Sequence, residues 1–370
     1  MTKKKVLFVG AFASNMKQGG TGGQIYACRS LINSNLTEGV EWVEIDSTAP
    51  SNKNYGILSR LWNAIRRLLK FIFTLSFNKI DTVLLFCADG FSIIEKGTML
   101  LIARFFGKRT IIAPRSGYIT NNLKSIAYRS FIKFVFSRAD FIVCQSDYWK
   151  KLFISSLYSS NEFESRFIVI YNWIDLENYS DIANKNLFKE NPSNKEIKIL
   201  YLAWVDRAKG IFDLIDAVAN LKDKLTNFKV IVAGDGKDFD NAVLYVSKLN
   251  LEPYIQFLGW VNSQQKLELF STSDIFVLPS YFEGSPNSLL EAISSGIPSI
   301  STNVGSIPEM LRNSAGNVLF IPGDVELFSK HIYDLSVNQQ YRNQVASTQY
   351  MQALNNHSLN AAIEKFKLIL

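Results

Sequence analysis

The chain has 370 residues, enough for two domains of ordinary size. Hydrophobic residues make up 47% of it and charged residues 20%, which excludes a disordered chain, and no apolar run reaches the roughly 20 residues that span a bilayer. The net charge is +7 but unevenly placed: residues 1–178 hold 23 Lys and Arg against 13 Asp and Glu, whereas residues 179–370 hold 17 against 20, so the basic half expects a nucleotide, a nucleic acid or an acidic membrane surface.

The chain opens on the basic Met1-Thr2-Lys3-Lys4-Lys5. The apolar stretch that follows has only a strand's length and ends at Gly10, too short for a signal peptide, so a cytoplasmic protein is expected. Residues 5–10, 41–46, 82–88, 110–114, 141–145 and 167–171 read as strands, apolar on both faces as in a covered parallel sheet. Helix-length segments such as 23–36, 58–77 and 123–137 lie between them, which is the alternation of a doubly wound α/β sheet. Cys28, Cys87 and Cys144 are far apart, show no metal-ligand spacing and read as buried thiols.

The segment 58–77 is amphipathic. At about 100° per residue, Ser59, Arg60, Asn63, Arg66, Arg67, Lys70 and Thr74 share one arc of roughly 120°, and Leu61, Trp62, Ile65, Leu68, Leu69, Ile72 and Phe73 fill the rest. Arg60, Arg66, Arg67 and Lys70 are therefore expected to meet an anionic membrane surface. The competing description is an ordinary domain helix with its arginines in water. Nucleic acid is not expected, because the aromatic residues fall in helical cores and form no known reading module.

Residues 175–196 are rich in Asn, Lys, Asp and Ser without an apolar period, and they read as a linker. Alternation then restarts, with strands at 197–203, 229–233, 255–258, 275–278 and 299–301. The expected division is 1–176, a linker at 177–196, a second domain at 197–354, and a final helix at 355–370 that returns to the first domain. In open α/β sheets ligands bind beyond the carboxyl ends of the strands, so the loops after these strands are the place to look. They hold Arg207 and Lys209 at a helix start, Gly234 in a tight turn, Gly259-Trp260-Val261, and the run Glu283-Gly284-Ser285-Pro286-Asn287-Ser288-Leu289-Leu290-Glu291. A cation at a helix N-terminus suits a phosphate. Two carboxylates also suit a glycosidase, but eight helical steps span about 12 Å. That disfavours a retaining glycosidase, which needs about 5 Å, but leaves open an inverting one at about 6.5–9.5 Å, because part of the segment is loop.

Residues 201–311 resemble the donor domain of glycosyltransferase family 4, retaining enzymes of the GT-B fold. The similar pieces are Lys209-Gly210, Gly234-Asp235-Gly236, Phe257-Leu258-Gly259, Ser273-Asp274 with the strand after it, the glutamate pair, and Thr302-Asn303-Val304-Gly305. The first domain is similar more loosely, through the glycine loop Gly19-Gly20-Thr21-Gly22-Gly23 and through Tyr171-Asn172-Trp173-Ile174-Asp175. The resemblance implies two Rossmann-like domains facing a cleft, and transfer of a hexosyl or N-acetylhexosaminyl group from a UDP- or GDP-sugar to a glycan or lipid-linked acceptor in polysaccharide biosynthesis. No cofactor or metal is implied, since the nucleotide-sugar is a substrate.

The roles implied are specific. Glu291 holds the ribose, and Glu283 sits beside the transferred sugar. Lys209 stabilises the departing diphosphate, and Gly284 with the backbone of Ser285, Asn287 and Ser288 lines sugar and diphosphate. Trp260 and Val261 border the base, while Gly20, Gly22 and Gly23 approach the phosphates. Two departures stand out. Trp204 occupies the place of a family arginine, with Arg207 as the expected substitute. No histidine falls in the first domain, where Arg115 is the expected substitute. The alternative is a non-catalytic donor-binding or partner subunit. A dehydrogenase is excluded, because no Gly-x-Gly-x-x-Gly turn follows the first strand.

Overall fold

In the computed structural model, residues 3–12, 23–48, 57–159, 163–189, 196–312 and 318–370 are described. The chain divides into two units, Met1–Asn172 with Asn360–Leu370, and Trp173–Leu359.

In the first unit, β1 (Lys4–Gly10), β2 (Val40–Asp46), β3 (Thr82–Cys87), β4 (Arg109–Pro114), β5 (Phe141–Cys144) and β6 (Phe167–Val169) form one parallel sheet in the order β2-β1-β3-β4-β5-β6. The central strands are buried along their length because helices cover both faces, which is why their apolar residues run without alternation. The last helix, Leu359–Ile369, packs into this unit through the buried Ile363, Phe366 and Ile369. Lys365 Nζ donates to the Val169 carbonyl at 2.9 Å, and Thr82 Oγ1 donates to the Leu370 carbonyl at 3.3 Å.

The second unit repeats the plan. β7 (Ile197–Leu202), β8 (Phe228–Ala233), β9 (Ile255–Gly259), β10 (Ile275–Leu278), β11 (Ser299–Thr302) and β12 (Leu319–Phe320) are parallel in the order β12-β11-β10-β7-β8-β9. The two-residue β12 is too short to have been read from periodicity. The stretch expected to be a linker instead holds a helix, Glu177–Leu187, within the second unit. Only Tyr179 and Ala183 of it are buried, so it lacks the apolar stripe that marks a helix. It is held by polar groups: Asn186 Nδ2 donates to the Phe270 and Ser295 carbonyls, and Lys189 pairs with Asp274. His331 and His357 are both buried in this unit.

The helix Ile57–Phe77 corrects the expected division of its faces. Ala64, Phe71, Thr74 and Leu75 pack inward, and Arg67 turns to Glu95, with Nε to Oε1 at 2.6 Å. Outward lie Leu58, Leu61, Trp62, Ile65, Leu69, Phe73 and Phe77, all exposed, with Arg66 and Lys70 beside them. The basic arc is thus split, and a helix-long apolar stripe is left facing away from the unit's core. No described helix is long and apolar enough to cross a membrane.

In each sheet the chain reverses its direction of strand addition once, between β1 and β3 and again between β7 and β10. At such a point the connections leave toward opposite sides and open a crevice at the strands' carboxyl ends.

Candidate functional site

The loops that leave β7 and β10 meet at the second reversal point. Asp206 Oδ1 accepts the Lys209 N–H at 2.9 Å and closes a single 3-10 turn, Arg207–Lys209. Gly210 follows with φ of 71°, and a Cβ there would lie 1.9 Å from the Pro279 carbonyl oxygen. Only glycine allows the two loops to come this close. The Tyr281 N–H donates to the Ala208 carbonyl at 2.8 Å and ties them together.

This packing brings Lys209 Nζ to 2.6 Å from Glu283 Oε1. The buried Ser280 hydroxyl donates to the same oxygen at 2.8 Å. Glu283 is only 8% exposed, so its charge needs these partners. A third loop, after β11, backs the glutamate: a Cβ on Gly305, whose φ is 57°, would lie 2.2 Å from the Glu283 carbonyl oxygen. Under the pair, Tyr201 is fully buried and donates to the Trp204 carbonyl at 2.8 Å. Burial, followed by the charges of Asp206 and Glu283, drives its phenol well above the usual range, so it remains a neutral donor.

Glu291 lies on the helix Asn287–Ser294, with Gly284, Ser285, Asn287 and Ser288 at the helix's N-terminal end. First-turn amides have no acceptor inside a helix, and the dipole adds partial positive charge there, a natural seat for an anion. Glu291 Oε1 is paired with Lys266 Nζ from the neighbouring helix Ser263–Thr272, a partner that sequence reasoning missed. Trp204 and Trp260, from the loops after β7 and β9, are both partly exposed, with ring centroids 5.7 Å apart. Val261 follows Trp260, and the Gly234 N–H, just after β8, donates to the Gly259 carbonyl at the end of β9 at 2.8 Å.

Other expected residues are placed differently. The Arg207 guanidinium lies 4.5 Å from the centre of the Phe212 ring, and no described contact joins it to Glu283. Arg115, at the carboxyl end of β4, donates from Nη2 to Asn172 Oδ1 at 2.7 Å and lies over the Phe86 ring. Burial pushes its pKa down to about 10. Gln145 donates to the same Asn172 oxygen, so Arg115 belongs to a polar network at the carboxyl end of its sheet. Beside it, Ser116 Oγ donates to Asp89 Oδ1 at 2.7 Å. Gly20 and Gly22 lie outside the described residues, and Gly23 begins the helix Gly23–Ile32. Among the described residues, no group of three or more His, Cys, Asp or Glu could hold a metal ion.

Two doubly wound sheets, with a lysine–glutamate pair at one reversal point and a second glutamate on the adjoining helix, define a chain of the GT-B fold. Known structures agree on the architecture. A sucrose-phosphate synthase from Thermosynechococcus elongatus superposes with a TM-score of 0.76 over 99% of this chain and 98% of that one, at 14% identity. The HepE protein of Anabaena in complex with UDP gives 0.74 over the same shares at 16% identity. Residues 183–351 match the model of the family described as glycosyl transferases group 1.

Curated relatives include the N-acetylgalactosamine-N,N'-diacetylbacillosaminyl-diphospho-undecaprenol 4-alpha-N-acetylgalactosaminyltransferase of Campylobacter jejuni. It is 29% identical over 209 residues, 55% of this chain and 54% of that one. The lipopolysaccharide 1,6-galactosyltransferase of Escherichia coli is 36% identical over 126 residues, 32% of this chain and 33% of that one. The matches thus span about half the length of these relatives or less.

Proposed function

We propose that this chain is a retaining glycosyltransferase that moves a hexosyl or N-acetylhexosaminyl group from a UDP- or GDP-sugar to a glycan or lipid-linked glycan in polysaccharide biosynthesis. The observation that carries this reading is the Lys209–Glu283 pair at the β7/β10 reversal point, beside the helix that bears Glu291. In such a transfer the bond between the anomeric carbon and the diphosphate oxygen breaks, and negative charge grows on the diphosphate. Lys209 and the amides at the start of Asn287–Ser294 are set to receive that charge. Glu283 orients the sugar and steadies positive charge at its anomeric carbon, and Glu291 accepts the ribose hydroxyls. These groups supply the stabilisation without a metal or other cofactor. Relatives named for undecaprenol-linked and lipopolysaccharide substrates support the acceptor class.

The test is turnover of UDP- and GDP-sugars by the purified chain, followed as release of the nucleoside diphosphate. Turnover excludes the alternative, a non-catalytic donor-binding subunit, which Trp204 and the missing first-unit histidine motivate. A chain that binds donor but neither hydrolyses nor transfers it would establish that alternative.

We also propose that the helix Ile57–Phe77 seats the chain on an anionic lipid surface, the cytoplasmic face of the cell membrane. Seven large apolar side chains exposed along one helix, flanked by Arg66 and Lys70, suit the boundary between headgroups and acyl chains. Arg60 lies at the helix start, and Arg67 pairs with Glu95. The chain is expected to float with anionic vesicles. Changing Arg60, Arg66 and Lys70 to Gln, or Trp62, Leu69 and Phe73 to Ser, is expected to release it. Flotation of both variants would refute the seat.

A further inference from the structure

Lys266 was not among the residues that the sequence marked, and its placement gives it a task. It lies in the first turn of the helix Ser263–Thr272, whose start is fixed by a capping box. Asn262 Oδ1 accepts the Gln265 N–H at 2.9 Å, and Gln265 Oε1 accepts the Asn262 N–H at 2.9 Å. The Lys266 N–H donates to the Asn262 carbonyl at 2.9 Å. The residues just before this cap are Trp260 and Val261, at the carboxyl end of β9. The other end of Lys266 is its ammonium, which grips Glu291 Oε1 on a different helix. One residue therefore joins the Trp260–Val261 segment to the Glu291 carboxylate.

The pair is neither a surface ornament nor a sealed core contact. The Lys266 side chain is 26% exposed and the Glu291 side chain 17% exposed. That is sheltered enough for the ion pair to orient the carboxylate, since charge-assisted hydrogen bonds are strong when water is partly excluded. It is also open enough for a ligand to reach the carboxylate. Lys266 takes Oε1, which leaves Oε2 to accept from a ligand's hydroxyls. Without the ammonium, the glutamate side chain would be free to turn among its rotamers.

We infer that Lys266 is a positioning residue for nucleoside recognition: it holds Glu291 in place to read a ribose hydroxyl and sets that carboxylate relative to the segment that borders the base. The inference rests on the donor reading above and deepens it. Discrimination between a ribonucleotide and its 2′-deoxy counterpart then belongs to the Lys266–Glu291 pair as a unit.

The experiment is titration of UDP, GDP and their 2′-deoxy forms into the full chain and into Lys266→Met, Lys266→Arg, Glu291→Gln and the Lys266→Met/Glu291→Gln double variant. Lys266→Met is expected to weaken ribonucleotide binding by about tenfold and to shrink the ribo-to-deoxy ratio toward that of Glu291→Gln. Lys266→Arg is expected to keep the ratio. The double variant is expected to lose little beyond the worse single one, because the two residues act on the same hydroxyl. An unchanged ratio in Lys266→Met, or losses that simply multiply in the double variant, overturns this inference alone. If the unsubstituted chain binds neither UDP nor GDP, the donor reading falls and this inference with it. Matching unfolding temperatures across the set separate these outcomes from loss of fold.

Discussion

The Lys209–Glu283 contact joins two residues 74 positions apart at 2.6 Å, and its two members face different tasks in transfer. Lys209→Ala removes the cation that meets the leaving diphosphate, and Glu283→Gln removes the charge beside the sugar. Each is expected to lower turnover by roughly 100-fold or more while the chain stays folded, as loss of one preorganised electrostatic partner does elsewhere. Steady-state nucleoside diphosphate release with parallel circular dichroism checks this, and full activity in both would remove the site assignment. Gly210→Ala is expected to act on the fold instead. Its positive φ and the 1.9 Å approach to the Pro279 carbonyl oxygen leave no place for a Cβ, so the unfolding temperature should fall. The two glutamates and Lys209 were legible in the sequence because they stand in ordered local motifs. Lys266 gained its meaning from a contact between two helices, and no local pattern in the chain encodes that. Arg207 shows the same limit, since the place of its guanidinium over the Phe212 ring is a contact that only the structure gives.

At the scale of elements, the helix Ile57–Phe77 is the clearest case of a pattern whose orientation the sequence left open. The periodicity fixed which side chains share an arc, but not which arc meets the protein. The structure turns the small and aromatic strip of Ala64, Phe71, Thr74 and Leu75 inward and recruits Arg67 to Glu95. Burial alone would raise the Glu95 carboxyl, but the hydrogen bond from Arg67 and the charge and hydrogen bond of Lys96 outweigh it and hold it below its ordinary value. A depressed folded pKa means that the stabilisation is fully present above the ordinary glutamate value of about 4.3 and is lost as pH falls through the folded one. Stability should therefore fall in this acid window, and Glu95→Gln should remove that part of the pH dependence while lowering stability at neutral pH. Denaturant midpoints from pH 3 to 7, on the order of one point per half unit, read both effects. The Glu177–Leu187 helix teaches the complementary lesson. Its stability comes from Asn186 and other polar anchors, so a search for apolar periods passes over it.

At the scale of the molecule, two parallel sheets were legible because buried strands such as β1, β3 and β10 write continuous apolar runs. The first unit is completed only by the chain's last residues, Asn360–Leu370, with Phe366 fully buried. Phe366→Ala is expected to cost about 3–5 kcal/mol of first-unit stability, measured by denaturant unfolding, and little change would show that the terminal helix is dispensable. The order of strands places both sheet reversals at carboxyl ends, and the second unit gathers Lys209, Glu283 and Glu291 around one of them. The most direct measurement of that donor-site claim is the shift in unfolding temperature of the purified chain with a panel of UDP- and GDP-sugars, set beside the Lys209→Ala/Glu291→Gln double variant. A ligand that binds only the folded state at 100 times its Kd stabilises by about 2.7 kcal/mol, so at least one donor should raise the unfolding temperature of the unsubstituted chain by several degrees and leave the variant unmoved. No shift with any donor, or an equal shift in the variant, would contradict the account.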